Sequence, residues 1–464
     1  MTPFEDRTWL RAAALALALA LAGCPRHESS DRCSTAALNT AVLATAQDWY
    51  LFADTIPAAI DPAAYATPAA LLDAITANAR AQGKDRHFSF LTTVTQAQQF
   101  YTSGQSLGYG FVQAVRGTQL FVASVLAGSA AADAGFARGD EILSIGTSAA
   151  DQIPMTTLLA EGTLGSTLSS SVLGTTRVFQ VRRVDGSVVQ RTATTRVYDL
   201  DPVPAVAQPV LSVQDRTVGY VQLRTFVETA DPPLRQALRA FQAAQVTDVV
   251  VDLRYNGGGL VSIAETFASL LRANHAGDTM YRMHLNARHV ADESTTAFGS
   301  LAEAIAPARV AFIVTGRSAS ASELLVNVLQ PYLGANLAIV GGRTYGKPVG
   351  QFAFEDKDCD AALYLISFQL LNADGTGDYF AGLPDANFKG ASCAALDDLT
   401  HPAGDPTEAS TAAALQWIAT GACPTGPIPP AVSSALAAAA AEPPWTFPEA
   451  PEPTVAQRHM PGLF

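Results

Sequence analysis

The stretch Val310-Ala311-Phe312-Ile313-Val314, followed by Arg317-Ser318-Ala319-Ser320-Ala321-Ser322-Glu323 and a helix-forming run over 324–329, decides how this chain is built. Five consecutive apolar residues read as a strand covered on both faces, and the run from Leu324 reads as a helix. Small residues crowd a hydroxyl at the junction between them. A serine placed there lies beside free backbone amides and the positive end of a helix, both of which stabilise an oxyanion. Downstream stands Tyr345-Gly346-Lys347. Lysine is scarce: Lys84, Lys347, Lys357 and Lys389 are the only ones among 29 basic residues. Arginine cannot act as a general base, whereas a desolvated lysine can lose its proton near neutral pH. Serine and lysine together read as a Ser–Lys hydrolase.

Working outward, residues 218–223 read as a strand and 233–244 as an amphipathic helix, with Leu234, Leu238 and Phe241 on one face. Residues 246–253 are nearly all apolar, 263–271 are helical, and 337–340 form a further buried strand. This alternation implies an α/β core with right-handed crossovers. Upstream, 103–198 breaks into short β-like runs. Before that, 36–50 and 69–81 have helical spacing, with Pro57, Pro62 and Pro68 between them. Beyond Cys423 proline and alanine dominate, so a disordered tail is expected, in which Trp445 and Phe447 could still dock locally.

A chain of 464 residues, 48% hydrophobic, has room for about three domains. Its net charge of −13 leaves no basic stripe to neutralise phosphates, which excludes nucleic acid as a partner. At the amino end Arg7 and Arg11 precede an apolar run over 12–20 that is too short to span a bilayer, then Leu21-Ala22-Gly23-Cys24. This resembles the bacterial lipobox, with Cys24 as the lipidated residue and 1–23 as the signal peptide. The implied location is the periplasmic side of a bacterial envelope, held to the membrane by lipid. Pro25 supplies no Asp-type retention signal, which points to the outer membrane. Export leaves Cys33, Cys359, Cys393 and Cys423 for two disulfides, with three possible connectivities. Cys359–Cys393 and Cys33–Cys423 are the favoured pairs, the second tying the ends of the folded region together. With no CxxC or HxxxH spacing, no metal and no cofactor are expected.

The series Gly108-Tyr109-Gly110-Phe111, residues 120–125, Gly128 to Phe136 and Gly139-Asp140-Glu141-Ile142 resembles a PDZ domain of the bacterial protease type. In such domains the Gly-x-Gly loop offers amides to a peptide's terminal carboxylate and the peptide adds as a strand. Tyr109, Gly110 and Phe111 would be its peptide-binding residues. Three further segments complete the resemblance: Asp252-Leu253-Arg254-Tyr255-Asn256-Gly257-Gly258-Gly259, Ser318 to Glu323, and Gly346-Lys347-Pro348-Val349-Gly350-Gln351. Their order is similar to the carboxyl-terminal processing proteases, over roughly 103–385. The resemblance implies an α/β, crotonase-like (βαβ-rich) serine protease core, a mainly β PDZ domain and a small helical amino-terminal module. The divisions are 1–23, 24–102, 103–198, 199–425 and the tail 426–464.

It also implies Ser320 as nucleophile, Lys347 as general base and Gln351 as the residue orienting the lysine. The amides of Gly258 and Ala321 would form the oxyanion hole, and Ser318 and Ser322 would cap the helix. Pro348 stands where the family has glycine, and Gly257 where it has proline. Asp252 and Arg254 read as structural, and His87 as a structural or surface histidine. The function implied is a serine endopeptidase that cleaves exported proteins or peptides, recognising their free carboxyl termini. The alternative is a peptide-binding lipoprotein that acts as an adaptor without cleaving.

Overall fold

The computed structural model describes residues 29–424 and 453–464. The expected signal peptide over 1–23, Cys24 and the tail over 425–452, including Trp445 and Phe447, lie outside the described residues. The central sheet has six strands in the order Val210–Val213, Arg216–Gln222, Asp248–Asp252, Arg309–Val314, Leu337–Gly341 and Ala391–Ala394. Only the first pair is antiparallel. Side chains alternate across a strand. Val249, Val251, Val310 and Phe312 therefore face the helices Asp231–Ala243, Val261–Leu270 and Ala321–Leu333. Val250, Ala311 and Ile313 face Trp417 and Ile418 of helix Ala409–Thr420 on the opposite side. Both faces are covered, which is why the runs at 249–251 and 310–314 are apolar without a break.

A second sheet stands beside this core. The long hairpin of Val349–Asp356 and Ala361–Asn372 pairs onward through the free edge of its second strand, with Phe90–Thr92 near that strand's start and with Thr279–Leu285 near its end. The amino-terminal helices Thr35–Trp49 and Pro68–Ala81 cover the hairpin. Val42, Leu43, Tyr50, Leu71 and Ile75 bury against Val349, Leu363, Leu365 and Ile366. Ser34 and Thr67 cap the two helices through their side-chain oxygens.

The 103–198 region forms an antiparallel sheet in the order Phe111–Arg116, Gln119–Val125, Glu141–Gly146, Thr176–Arg182 and Val188–Thr194. Gln105–Gly108 pairs with Arg196–Asp199 at its base. Tyr109, Phe111, Phe136 and Phe179 fill its centre.

Two expectations need correction. The disulfides are Cys33–Cys359 and Cys393–Cys423, with Cα separations of 5.4 and 5.1 Å. Cys359 lies in the turn of the long hairpin, where Arg32 also pairs with Asp356 and Asp358, so the amino-terminal segment meets the hairpin rather than the far end of the chain. Cys393 lies on the edge strand of the central sheet, and Cys423 follows the helix that packs on that sheet. The tail, in turn, is ordered at 453–464. Val455–His459 is helical, and Met460, Leu463 and Phe464 are buried. Those three apolar side chains, which a proline- and alanine-rich composition hides, supply the contact area that offsets ordering.

Candidate active site

Ser320 sits where strand Arg309–Val314 turns into helix Ala321–Leu333, at φ +57°. That positive-φ conformation is unusual for a residue with a Cβ, and Ser320 takes it as the N-cap of the helix, in a capping box with Glu323. Gly258 makes this possible, because a Cβ there would lie 2.8 Å from the Ser320 Cβ. The flanking serines are not the expected caps. Ser318 Oγ donates to Leu253 O (2.7 Å) and Ser322 Oγ donates to Asn256 O (2.9 Å), stitching the turn to the 252–259 loop. The Asn256 side chain locks that loop by donating to Leu223 O and accepting from the Gly258 amide (2.8 and 2.9 Å). The Gly258 amide thus lies against the serine but points to Asn256. One residue earlier, the Gly257 amide donates to His459 O (2.9 Å). Ala321 opens the helix, in the first turn, where amides lack intrahelical acceptors.

Lys347 approaches from the other side. Its ammonium donates to Gln351 Oε1 (2.7 Å), and Gln351 Nε2 donates to Phe88 O (2.6 Å), so the glutamine is held at both ends. The Lys347 Nζ also lies 5.2 Å from the centre of the Phe88 ring. Burial lowers the lysine pKa to about 8 against the opposing influence of Asp85, with Arg458 adding to the fall. Ser320 and Lys347 line one small recess of about 20 Å³, walled by Val261, Leu324, Val349, Phe368 and Leu370. Among the described residues no hydrogen bond joins Ser320 Oγ to Lys347 Nζ. Pro348 is buried beside them, and the lysine's own amide remains in use.

Two residues escaped the sequence reading. Glu323, fully buried, accepts from Thr344 Oγ1 (2.5 Å) and from the amides of Gly346, Lys347 and Ser320 (2.6, 2.8 and 2.9 Å). One carboxylate therefore joins the serine turn to the lysine loop. Burial raises its pKa, and these four donors oppose the rise. Its place three residues after Ser320 was the available signal, since that is the capping-box position. Asp85, also fully buried, accepts from Tyr50 Oη, the Phe88 and Ser89 amides and Ser89 Oγ, and so fixes the segment that supplies Phe88 O. His87, by contrast, is exposed.

Asp252 and Arg254 are structural, as expected. The guanidinium is 1% exposed and pairs with Asp252, Asp397 and Glu408 (2.6, 3.1 and 3.0 Å). Arg138 of the 103–198 region joins the same network through Asp397 (2.6 Å) and Tyr255 Oη (3.0 Å). In that region the amides of Gly110 and Phe111 point at one acceptor, the main-chain oxygen of Phe464 (2.7 and 3.2 Å). Gly110 has φ +87°, and a Cβ there would strike Ser129 at 2.1 Å, so the loop requires glycine. The Tyr109 side chain is core and donates to Leu168 O (2.9 Å).

A strand–turn–helix serine, a half-buried lysine and a flanking β domain define a mixed α/β architecture of the S41 protease kind. The structure superposes on a solved Bacteroides fragilis protein assigned to the S41 proteases with a TM-score of 0.64, over 81% of this chain and 96% of that one, at 22% identity. Residues 217–383 match the profile of Peptidase family S41, and 37–90 match that of the Peptidase S41 N-terminal domain. Over these two segments the chain is similar to peptidase family S41. It is 29% identical over 263 residues to a carboxyl-terminal-processing protease of Synechocystis, covering 56% of this chain and 57% of that one. It is 27% identical over 266 residues to the carboxy-terminal processing protease CtpB of Bacillus subtilis, covering 55% and 50%. The chain thus spans about half the length of the curated relatives it matches.

Proposed function

We propose that this chain is a serine endopeptidase in which Ser320 is the nucleophile, Lys347 the general base and Gln351 the residue that orients the lysine. The observation that carries the reading is the lysine: half-buried, held by Gln351 and Phe88, with its pKa lowered to about 8, in the recess that Ser320 lines. Neutral Lys347 takes the Ser320 proton as Oγ attacks the scissile carbonyl carbon. The oxyanion that forms is stabilised by the Ala321 amide and, once the Gly258 amide turns away from Asn256 Oδ1, by that amide as well, each such donor being worth roughly 10²–10³ in rate. The lysine ammonium then returns the proton to the leaving amine, and water releases the acyl group by the same path. The recess is apolar and methyl-sized, which suits a small apolar side chain at the cleaved bond. The Ser320–Lys347 hydrogen bond forms as substrate docks, since catalytic hydrogen bonds often tighten only in the complex.

The 103–198 region would act as a PDZ domain that captures the substrate's carboxyl end on the Gly110 and Phe111 amides. The protein would be a lipoprotein facing the periplasm, anchored through Cys24.

The test is hydrolysis of casein and of peptides with apolar carboxyl ends by the form beginning after Cys24. Ser320→Ala and Lys347→Ala should each lose hydrolysis by several orders of magnitude while keeping the wild-type melting temperature. Near-normal turnover in Lys347→Ala would refute the dyad.

A further inference from the structure

The peptide groove and the serine cleft share one occupant, and it belongs to this chain. Residues 462–464 lie antiparallel against strand Phe111–Arg116, the edge of the 103–198 sheet. Phe464 N donates to Phe111 O (3.0 Å), and Gln113 N donates to Gly462 O (2.9 Å). With the two amides on the Phe464 oxygen, these bonds satisfy a sheet edge that would otherwise stand open. The Phe464 side chain is 4% exposed and packs with Tyr109, Phe111 and Leu168 in the centre of the domain. Leu463 and Met460, each 2% exposed, pack with Val112, Phe100 and Tyr255.

The same segment then crosses the catalytic side. Helix Val455–His459 begins at a Thr454–Gln457 capping box, and Gln457 Nε2 donates to Leu463 O (2.9 Å), which folds the segment back on itself. His459 sits behind the lysine. Its Nε2 is 2.6 Å from Tyr101 Oη, and its carbonyl accepts the Gly257 amide at the edge of the serine turn. Arg458 lies 4.3 Å from the centre of the Phe90 ring. A cleft of about 310 Å³ that reaches Lys347, Phe88 and Ala319 is closed along one side by Gln457, Arg458, His459 and Pro461.

We propose that residues 454–464 are a built-in competitor, holding both the peptide groove and the cleft mouth until an external peptide of the same chemistry displaces them. That chemistry is an extended backbone ending in a bulky apolar residue, with a main-chain oxygen for the Gly110 and Phe111 amides. The cleft half of the proposal rests on the peptidase reading; the groove half does not. A tethered ligand acts at an effective concentration of the order of millimolar, so a free peptide competes poorly until the tether's own grip is weakened.

The experiment measures binding of a labelled pentapeptide copying residues 460–464 to the chain carrying Ser320→Ala, so that cleavage plays no part. Introducing Phe464→Asp should tighten binding of the pentapeptide about tenfold or more, while a pentapeptide ending in Asp should bind neither form. Phe464→Leu and Phe464→Ala should give graded intermediate gains, which keeps the test open should the Asp variant fold poorly. Hydrogen exchange on the unaltered groove should show the Gly110, Phe111 and Gln113 amides protected before any peptide is added. Equal affinity across the series, or unprotected amides, would overturn the proposal. In the Ser320-containing chain, Phe464→Ala should raise kcat/KM on peptides. Loss of all hydrolysis with the binding series intact would remove the peptidase reading alone.

Discussion

In the proposed dyad Lys347 would act through its environment more than through its identity. Burial lowers its pKa to about 8 from the ordinary lysine value near 10.5, so at neutral pH a minority of molecules hold the free amine. The base must be unprotonated, so kcat/KM should rise with pH through about 8 and level off above it. Gln351 is neutral and touches the ammonium directly. Gln351→Glu would place a carboxylate there, stabilise the charged lysine and move the rising limb upward by about one unit or more. A pH–rate profile unchanged in that variant would mean that another group sets the limb. Near Lys347 the pKa of buried His459 is lowered to about 3 by burial and by Lys347 and Arg458, so it stays neutral across this range.

At the scale of elements, the site depends on two loops and one helix start staying in register. Glu323 joins the Ser320 turn to the 344–347 loop through four hydrogen bonds from a fully buried carboxylate. Glu323→Ala leaves those donors unpaired and frees the lysine loop. We expect kcat to fall about 100-fold with little change in KM, as for a small misplacement of catalytic groups. A merely structural glutamate would lower the melting temperature and leave the kcat of the folded fraction unchanged. Gly346 shows the same constraint from the backbone side: at φ +90° a Cβ would meet Phe380 O at 2.4 Å, so the loop that presents the lysine admits only glycine. The six-residue motif at 318–323 is therefore a set of cross-ties. Ser318 and Ser322, which the sequence suggested as caps, grip the 252–259 loop because that loop occupies the space above the turn.

Over the whole molecule, the amino-terminal module and the end of the core are fastened by covalent bonds. Cys33–Cys359 joins the turn just before helix Thr35–Trp49 to the long hairpin, and Cys393–Cys423 closes a segment with a sequence separation of 30 that carries helix Ala409–Thr420. Replacing Cys393 and Cys423 together with serine should lower stability by about 3 kcal/mol in urea denaturation, mainly by loosening the unfolded chain. No shift in midpoint would show that Trp417 and its neighbours hold the helix unaided. The network from Arg138 through Asp397 to Arg254 ties the 103–198 region to the loop behind the serine.

Much of this was legible in the residues. The unbroken apolar runs at 249–251 and 310–314 announce strands covered on both faces, because only such strands have no polar side. Ser320, Lys347 and Gln351 stand in local patterns, and short patterns survive in sequence whatever surrounds them. Contacts between distant segments leave no such trace. Glu323 looks like one more acidic residue until Thr344, Gly346 and Lys347 fold over it. The disulfide partners depend on which surfaces meet, and four cysteines alone cannot rank three pairings. The end of the chain was the largest surprise for the same reason: proline and alanine lower the odds of order along the tail, yet Met460, Leu463 and Phe464 find an open sheet edge and an apolar pocket whose residues, Phe100, Tyr109, Phe111, Val112, Leu168 and Tyr255, stand more than two hundred positions away. Local chemistry was thus set by sequence, while occupancy, pairing and burial were decided by tertiary structure, because each depends on free energy shared between segments that are neighbours only in space.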